Sequence, residues 1–129
     1  MELISELQNY FTIDEQLKIN EKLQKLDLDN VESFQQVTQE DNKIKFEIGY
    51  IFRDSLIDIT YKDNTFDTTI VKIQDIKTIQ TSENEKSYRA FFYISEKLFI
   101  YYIASSNNKI PKLKKFTKKV ESIYQGVSL

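Results

Sequence analysis

Lys43-Ile-Lys-Phe-Glu-Ile48 decides how the chain is read. Apolar and charged residues alternate strictly, with Ile44, Phe46 and Ile48 on one face and Lys43, Lys45 and Glu47 on the other. That is the period of a β-strand, because successive side chains of an extended backbone point to opposite sides. Downstream, Leu56 to Tyr61 and Phe66 to Ile73 are β-rich runs joined by Lys62-Asp-Asn-Thr65, the composition of a hairpin turn. Ile76 to Thr81 follows, then a polar loop from Ser82 to Ser87. Tyr88 to Ile94 and Leu98 to Ala104 complete the series, separated by a tight Ser95-Glu96-Lys97 turn. These last two runs are apolar on both faces, which predicts a place near the sheet centre or against a covering element. With a strand near Gln35 to Thr38, about seven strands succeed one another with no helix between them.

Outside this block the period returns to that of a helix. Leu3, Ile4, Leu7 and Phe11 recur at helical spacing, and Thr12-Ile-Asp-Glu15 is a capping box. Ile13, Leu17, Asn20, Leu23 and Leu26 then trace a stripe, so two helical segments or one bent helix precede the strands. The chain finishes with a second helical pattern: Ile110, Leu113, Phe116, Val120, Ile123 and Val127 at intervals of three or four, Pro111 in the first turn and Gly126 at the stop. The expectation is one α+β domain over residues 1–129. It has a helical N-terminal extension (1–30), an antiparallel β core (33–104) forming a strongly bent sheet or a partly open barrel, and a C-terminal capping helix (109–126).

Composition narrows function mainly by exclusion. At 129 residues the chain is long enough for one self-sufficient core, and 40% apolar with 13% aromatic residues argues against disorder. Histidine and cysteine are absent, which removes the commonest general base, thiol catalysis and the usual zinc ligands. The two glycines, Gly49 and Gly126, cannot form a phosphate-cradling loop. No catalytic, cofactor-binding or metal site is therefore assigned. Asp54 and Asp58 would share a face of a continuous strand, the arrangement a small carboxylate enzyme needs, but aspartates at strand ends and turns are ordinarily solvated. No secretory signal and no apolar run long enough to cross a bilayer are visible, so a cytoplasmic location is expected.

Charge is unevenly placed: residues 1–42 sum to −7, 43–105 to zero and 106–129 to +5. The positive end is the C-terminal helix, where Lys112, Lys115, Lys118 and Lys119 form the candidate interaction surface. They bracket the apolar stripe, so a solvated face is the plainer account, with an acidic partner, a membrane or nucleic acid behind it. Arg89-Ala-Phe91-Phe-Tyr93-Ile94 partly echoes the RNA-recognition strand in which alternate aromatics stack on bases. Phe92 stands where that strand has a small residue and Glu96 replaces its final aromatic, so core packing is expected and nucleic acid is not.

Seven successive strands closed by one amphipathic helix resemble the pleckstrin-homology-like superfamily, including its small bacterial and GRAM-type members. The resemblance covers about residues 33–126 and lies in element order. It implies a helix that plugs one end of the barrel, with Phe116 or Ile123 replacing the usual tryptophan, and a recognition scaffold rather than an enzyme. Lipid-binding members carry basic residues on the first two strands and the loop between them. Here that loop is Glu40-Asp41-Asn42, and Lys43 and Lys45 alone make a poor phosphate cage. The resulting expectation is a non-enzymatic protein-interaction or regulatory module without cofactor. Its partner is a protein, or a second copy through exposed strand edges. The alternative is a peripheral membrane domain that uses the lysine-rich helix.

Overall fold

The computed structural model describes residues 7–126. Leu3, Ile4 and Val127, which belong to the two helical stripes, lie outside them. The class is α+β. Helix α1 (Ile13–Gln24) and a short 3-10 turn (Leu28–Asn30) lead into β1 (Ser33–Glu40), β2 (Lys43–Phe52), β3 (Ser55–Lys62) and β4 (Thr65–Lys72). A second 3-10 turn (Ile73–Asp75) separates these from β5 (Thr78–Glu83), β6 (Tyr88–Tyr93) and β7 (Phe99–Ala104), and α2 (Lys109–Tyr124) closes the chain. All pairings are antiparallel, in two sheets of order β1-β2-β3-β4 and β5-β6-β7 that do not close into a barrel.

Local chemistry sets the boundaries. The Thr12 hydroxyl accepts from the Glu15 amide at 3.2 Å, and the Glu15 carboxylate accepts from the Thr12 amide at 3.1 Å, so the capping box starts α1. Asp41-Asn42 and Asp63-Asn64 each hold positive φ between directly paired residues, Glu40 with Lys43 and Lys62 with Thr65. Asn and Asp tolerate that conformation, which suits the twist of two-residue hairpins. Gly126, at φ 72°, ends the C-terminal helix.

Two cores result. One lies between the sheets and under α2, and includes Phe34, Ile51, Leu56, Phe92, Tyr102, Leu113, Phe116 and Val120. Phe116, one of the two residues expected to plug a barrel end, is fully buried in this core and meets the Tyr102 ring edge-on at 5.6 Å. The other core lies on the outer face of the four-stranded sheet, where Leu7, Phe11, Ile19 and Leu23 cover Phe46, Ile48, Ile59 and Tyr61.

One expectation changes here, and one question that the alternation left open is decided. The stripe through Ile13 and Leu17 is not the buried face of α1: both are exposed, at 75% and 61%, while Ile19 and Leu23 are buried. The helix lies on the sheet through positions four apart at 19 and 23, and the capping box places residue 13 at its free end. The second concerns β2. Its apolar face, Phe46 and Ile48, is the one α1 covers, so the face carrying Lys45, Glu47 and Gly49 turns inward between the sheets.

Candidate functional site

That inward face carries a buried polar chain. Gln36 on β1 sits directly opposite Glu47 on β2, and Gly49 opposite Asp58 on β3. The Gln36 amide donates to Glu47 Oε1 at 2.9 Å and to the Tyr101 carbonyl at 2.9 Å, and its oxygen accepts from the Ile103 amide at 2.8 Å. One side chain thus imitates a strand residue and joins β1 to β7, where no backbone ladder forms. Tyr102 donates to Asp58 Oδ1 at 2.6 Å. Gly49 makes this possible, since a Cβ there would fall on the Tyr102 hydroxyl.

Asp58 and Glu47 adjoin, with Lys45 Nζ 3.4 Å from Glu47 and 3.1 Å from Glu40. Burial, then hydrogen bonding and repulsion from Glu47, push Asp58 up to about 9, against the opposing pull of Tyr102 and Lys45. Asp58 is therefore a protonated acid at neutral pH and the Tyr102 phenol, raised by burial and by Asp58, stays neutral. Burial opposes the charge of Lys45, but Glu47 and Glu40 outweigh it and its pKa rises. Such a proton-sharing pair resembles catalytic carboxyl dyads electrostatically. Yet Gln36, Glu47, Asp58 and Tyr102 are all buried, with Glu47 and Asp58 each only 4% exposed. The arrangement joins the sheets.

The Asp54–Asp58 pair does not form. Asp54 sits in the β2–β3 turn, exposed and 3.9 Å from Lys72, because the turn after Phe52 interrupts the strand. The solvated account holds for Asp54, and it fails for Asp58. Glu47, Gln36 and Tyr102 carried no sequence flag. The available signal was Gly49, a lone glycine inside an alternating strand, which marks a close approach.

The lysines divide. Lys115 pairs with Glu32 at 3.5 Å and lines a groove with Lys118, Lys119, Glu121 and Ser122, whereas Lys112 lies on a different cleft beside Lys109. Lys114 turns to Glu83 at 2.7 Å and the Tyr88 ring. Lys43 and Lys45 are likewise engaged, by Asp63 at 2.6 Å and by Glu40 and Glu47.

The other candidate surface is the outer face of β5-β6-β7. Register places nine residues there in three rows: Thr78, Tyr93 and Phe99; Gln80, Phe91 and Tyr101; Ser82, Arg89 and Ile103. Phe91 lies 4.7 Å from Tyr101 and 6.1 Å from Tyr93, and Tyr93 lies 5.9 Å from Phe99, so the four rings are contiguous. Core packing thus describes Tyr88, Ala90 and Phe92, which face inward, and not Phe91 and Tyr93. Among the described residues no helix covers this face, and Phe99 is 53% exposed. No protein-family model matches the chain, and neither a curated protein nor a solved structure is significantly similar to it.

Proposed function

We propose that the protein is a non-enzymatic protein-interaction module of the pleckstrin-homology-like kind, and that it recognises its partner through the outer face of the three-stranded sheet. One observation carries this reading. Helix α1 and the residues before it cover the Phe46, Ile48, Ile59 and Tyr61 part of the outer face of the four-stranded sheet and leave Phe52 and Ile70 exposed there, while the matching face of the other sheet presents four contiguous aromatic rings, Phe99 exposed and the other three half-buried. Aromatic side chains and arginine are the groups enriched in protein interfaces. Arg89 is the one charged member of the nine, which favours a protein surface over a polyanion that needs several cations. Three strands about 4.8 Å apart and six residues long span roughly 14 by 20 Å. That is well short of the ~800 Å² per partner of a standard interface, so this face suits a transient contact. The element order and the burial of Phe116 support the superfamily reading.

The test compares wild type with a Phe91→Ser/Tyr101→Ser double variant, both immobilised and challenged with the same native lysate. A partner retained by wild type and lost by a folded double variant is the expected result. Identical capture by both, or reproducible turnover in a metabolite screen, overturns the reading.

A further inference from the structure

Between the end of α1 and the start of α2 the two cores do not meet. A cleft of about 560 Å³ opens there, walled by Leu23, Leu26, Leu28, Phe34 and Ile48. Phe34 belongs to the core between the sheets, and Leu23 and Ile48 to the core under α1, so the cleft sits on the seam. Its size is that of small-molecule sites, roughly 300–1,000 Å³.

The rim chooses the ligand. It carries Lys109 and Lys112 from the first turn of α2, Asp29 from the turn after α1, and the neutral polar residues Gln24, Ser33 and Gln35. Lys109 is already engaged: its Nζ donates to the Gln35 carbonyl at 3.0 Å and lies 5.7 Å from the Phe34 ring. Lys112 is exposed and enters no ion pair among the described residues. The first turn of α2 holds no acid, and Asn108 gives it no side-chain cap, so the positive helix end adds to the same potential. A cation would be repelled at this rim. A phosphate dianion would need more positive charge than one free lysine against Asp29 supplies.

We propose that this cleft binds a monoanionic aliphatic amphiphile, a free medium-chain carboxylate, with its tail on the Leu26, Leu28 and Phe34 wall and its carboxylate at Lys112. The inference does not depend on the aromatic face. Chain length is then the main determinant of affinity, because each methylene buried tightens binding roughly threefold to fourfold until the cleft is full. The exposed Lys112 pair contributes less, about twofold to fivefold.

The experiment is a titration of the ¹⁵N-labelled full chain with hexanoate, octanoate and decanoate below their micellar range. Octylamine and vesicles of anionic phospholipid are the comparison probes. Saturable amide shifts centred on Leu28, Gln35 and Lys112 are expected, with affinity rising along the series. Octylamine should bind more weakly than octanoate. Lys112→Glu should weaken octanoate at least threefold, and Leu28→Asp should abolish its binding with the remaining spectrum preserved. Several results overturn the proposal: no saturable shift at these amides, octylamine binding as well as octanoate, an affinity unchanged in Lys112→Glu, or shifts with vesicles alone.

Discussion

Tyr102 on β7 donates a 2.6 Å hydrogen bond to Asp58 on β3, a buried contact that spans the two sheets. The ring of Tyr102 also packs edge-on against Phe34, Phe92 and Phe116. Tyr102→Phe keeps those contacts and removes only the hydroxyl. It leaves buried Asp58 without its donor, and the expected loss is about 1–3 kcal/mol. Urea unfolding checks this; a loss below about 0.3 kcal/mol would show that the hydroxyl does not hold the sheets together.

Gly49→Ala should destabilise by a comparable or larger amount. Its new methyl group occupies the place of the Tyr102 hydroxyl, and overpacking of this kind costs roughly 1–3 kcal/mol before the broken hydrogen bond is counted. Because both changes disrupt one contact, Gly49→Ala and Tyr102→Phe should be less than additive when combined. Strict additivity in a double-mutant cycle would separate the two residues.

Asp58 makes stability depend on pH with an unusual sign. Its folded-state pKa, about 9, stands above the ordinary carboxyl value of 3.8. Between those limits the folded protein holds a proton that the unfolded chain releases, so raising the pH favours unfolding, by at most about 1.4 kcal/mol per pH unit. This contribution is fully present below the unfolded value, declines from pH 4 to 9 and is constant above. Glu47, Lys45, Tyr102 and Gln36 surround the acid, and Asp58→Asn keeps an oxygen for Tyr102 without titrating. Relative to wild type, that variant should therefore gain stability as pH rises. A difference flat from pH 4 to 9 would refute the assignment.

Gln36 bridges β1 and β7 with two hydrogen bonds and makes a third to Glu47 on β2. Gln36→Leu should leave the Ile103 amide without its acceptor and speed its hydrogen exchange by more than that of amides inside the β5-β6-β7 ladder. Equal change at all amides would instead indicate global destabilisation.

The two faces of α1 predict opposite outcomes. Leu23→Ala, in the core under α1, should cost about 2–5 kcal/mol, whereas exposed Leu17→Ala should stay within about 0.5 kcal/mol. Chemical denaturation of both variants decides whether the helix packs as described.

Seven strands, their order and several of their turns were legible because each depends on local signals: the two-residue period of Lys43 to Ile48, the Asp-Asn dipeptides at φ > 0, and the Thr12–Glu15 box, whereas the Arg53-Asp54 turn was read as part of a continuous strand. The buried face of the C-terminal helix was legible too, since Leu113, Phe116 and Val120 form one helical stripe. The site was not. Asp58 was noticed for the wrong neighbour, because Asp54 is close in sequence, while its true partners come from β2 and β7.

Periodicity tells which residues share a face of a strand, and it does not tell which face another element will claim. On β2 the helix took Phe46 and Ile48, and that placement alone turned Lys45, Glu47 and Gly49 toward the second sheet. On β6 the absence of such a cover among the described residues left Phe91 and Tyr93 facing out. The sequence by itself determined the elements and their alternation, which are properties of neighbouring residues. Only the tertiary structure decided which charges are buried and which aromatics are exposed, because burial is settled between elements far apart in the chain.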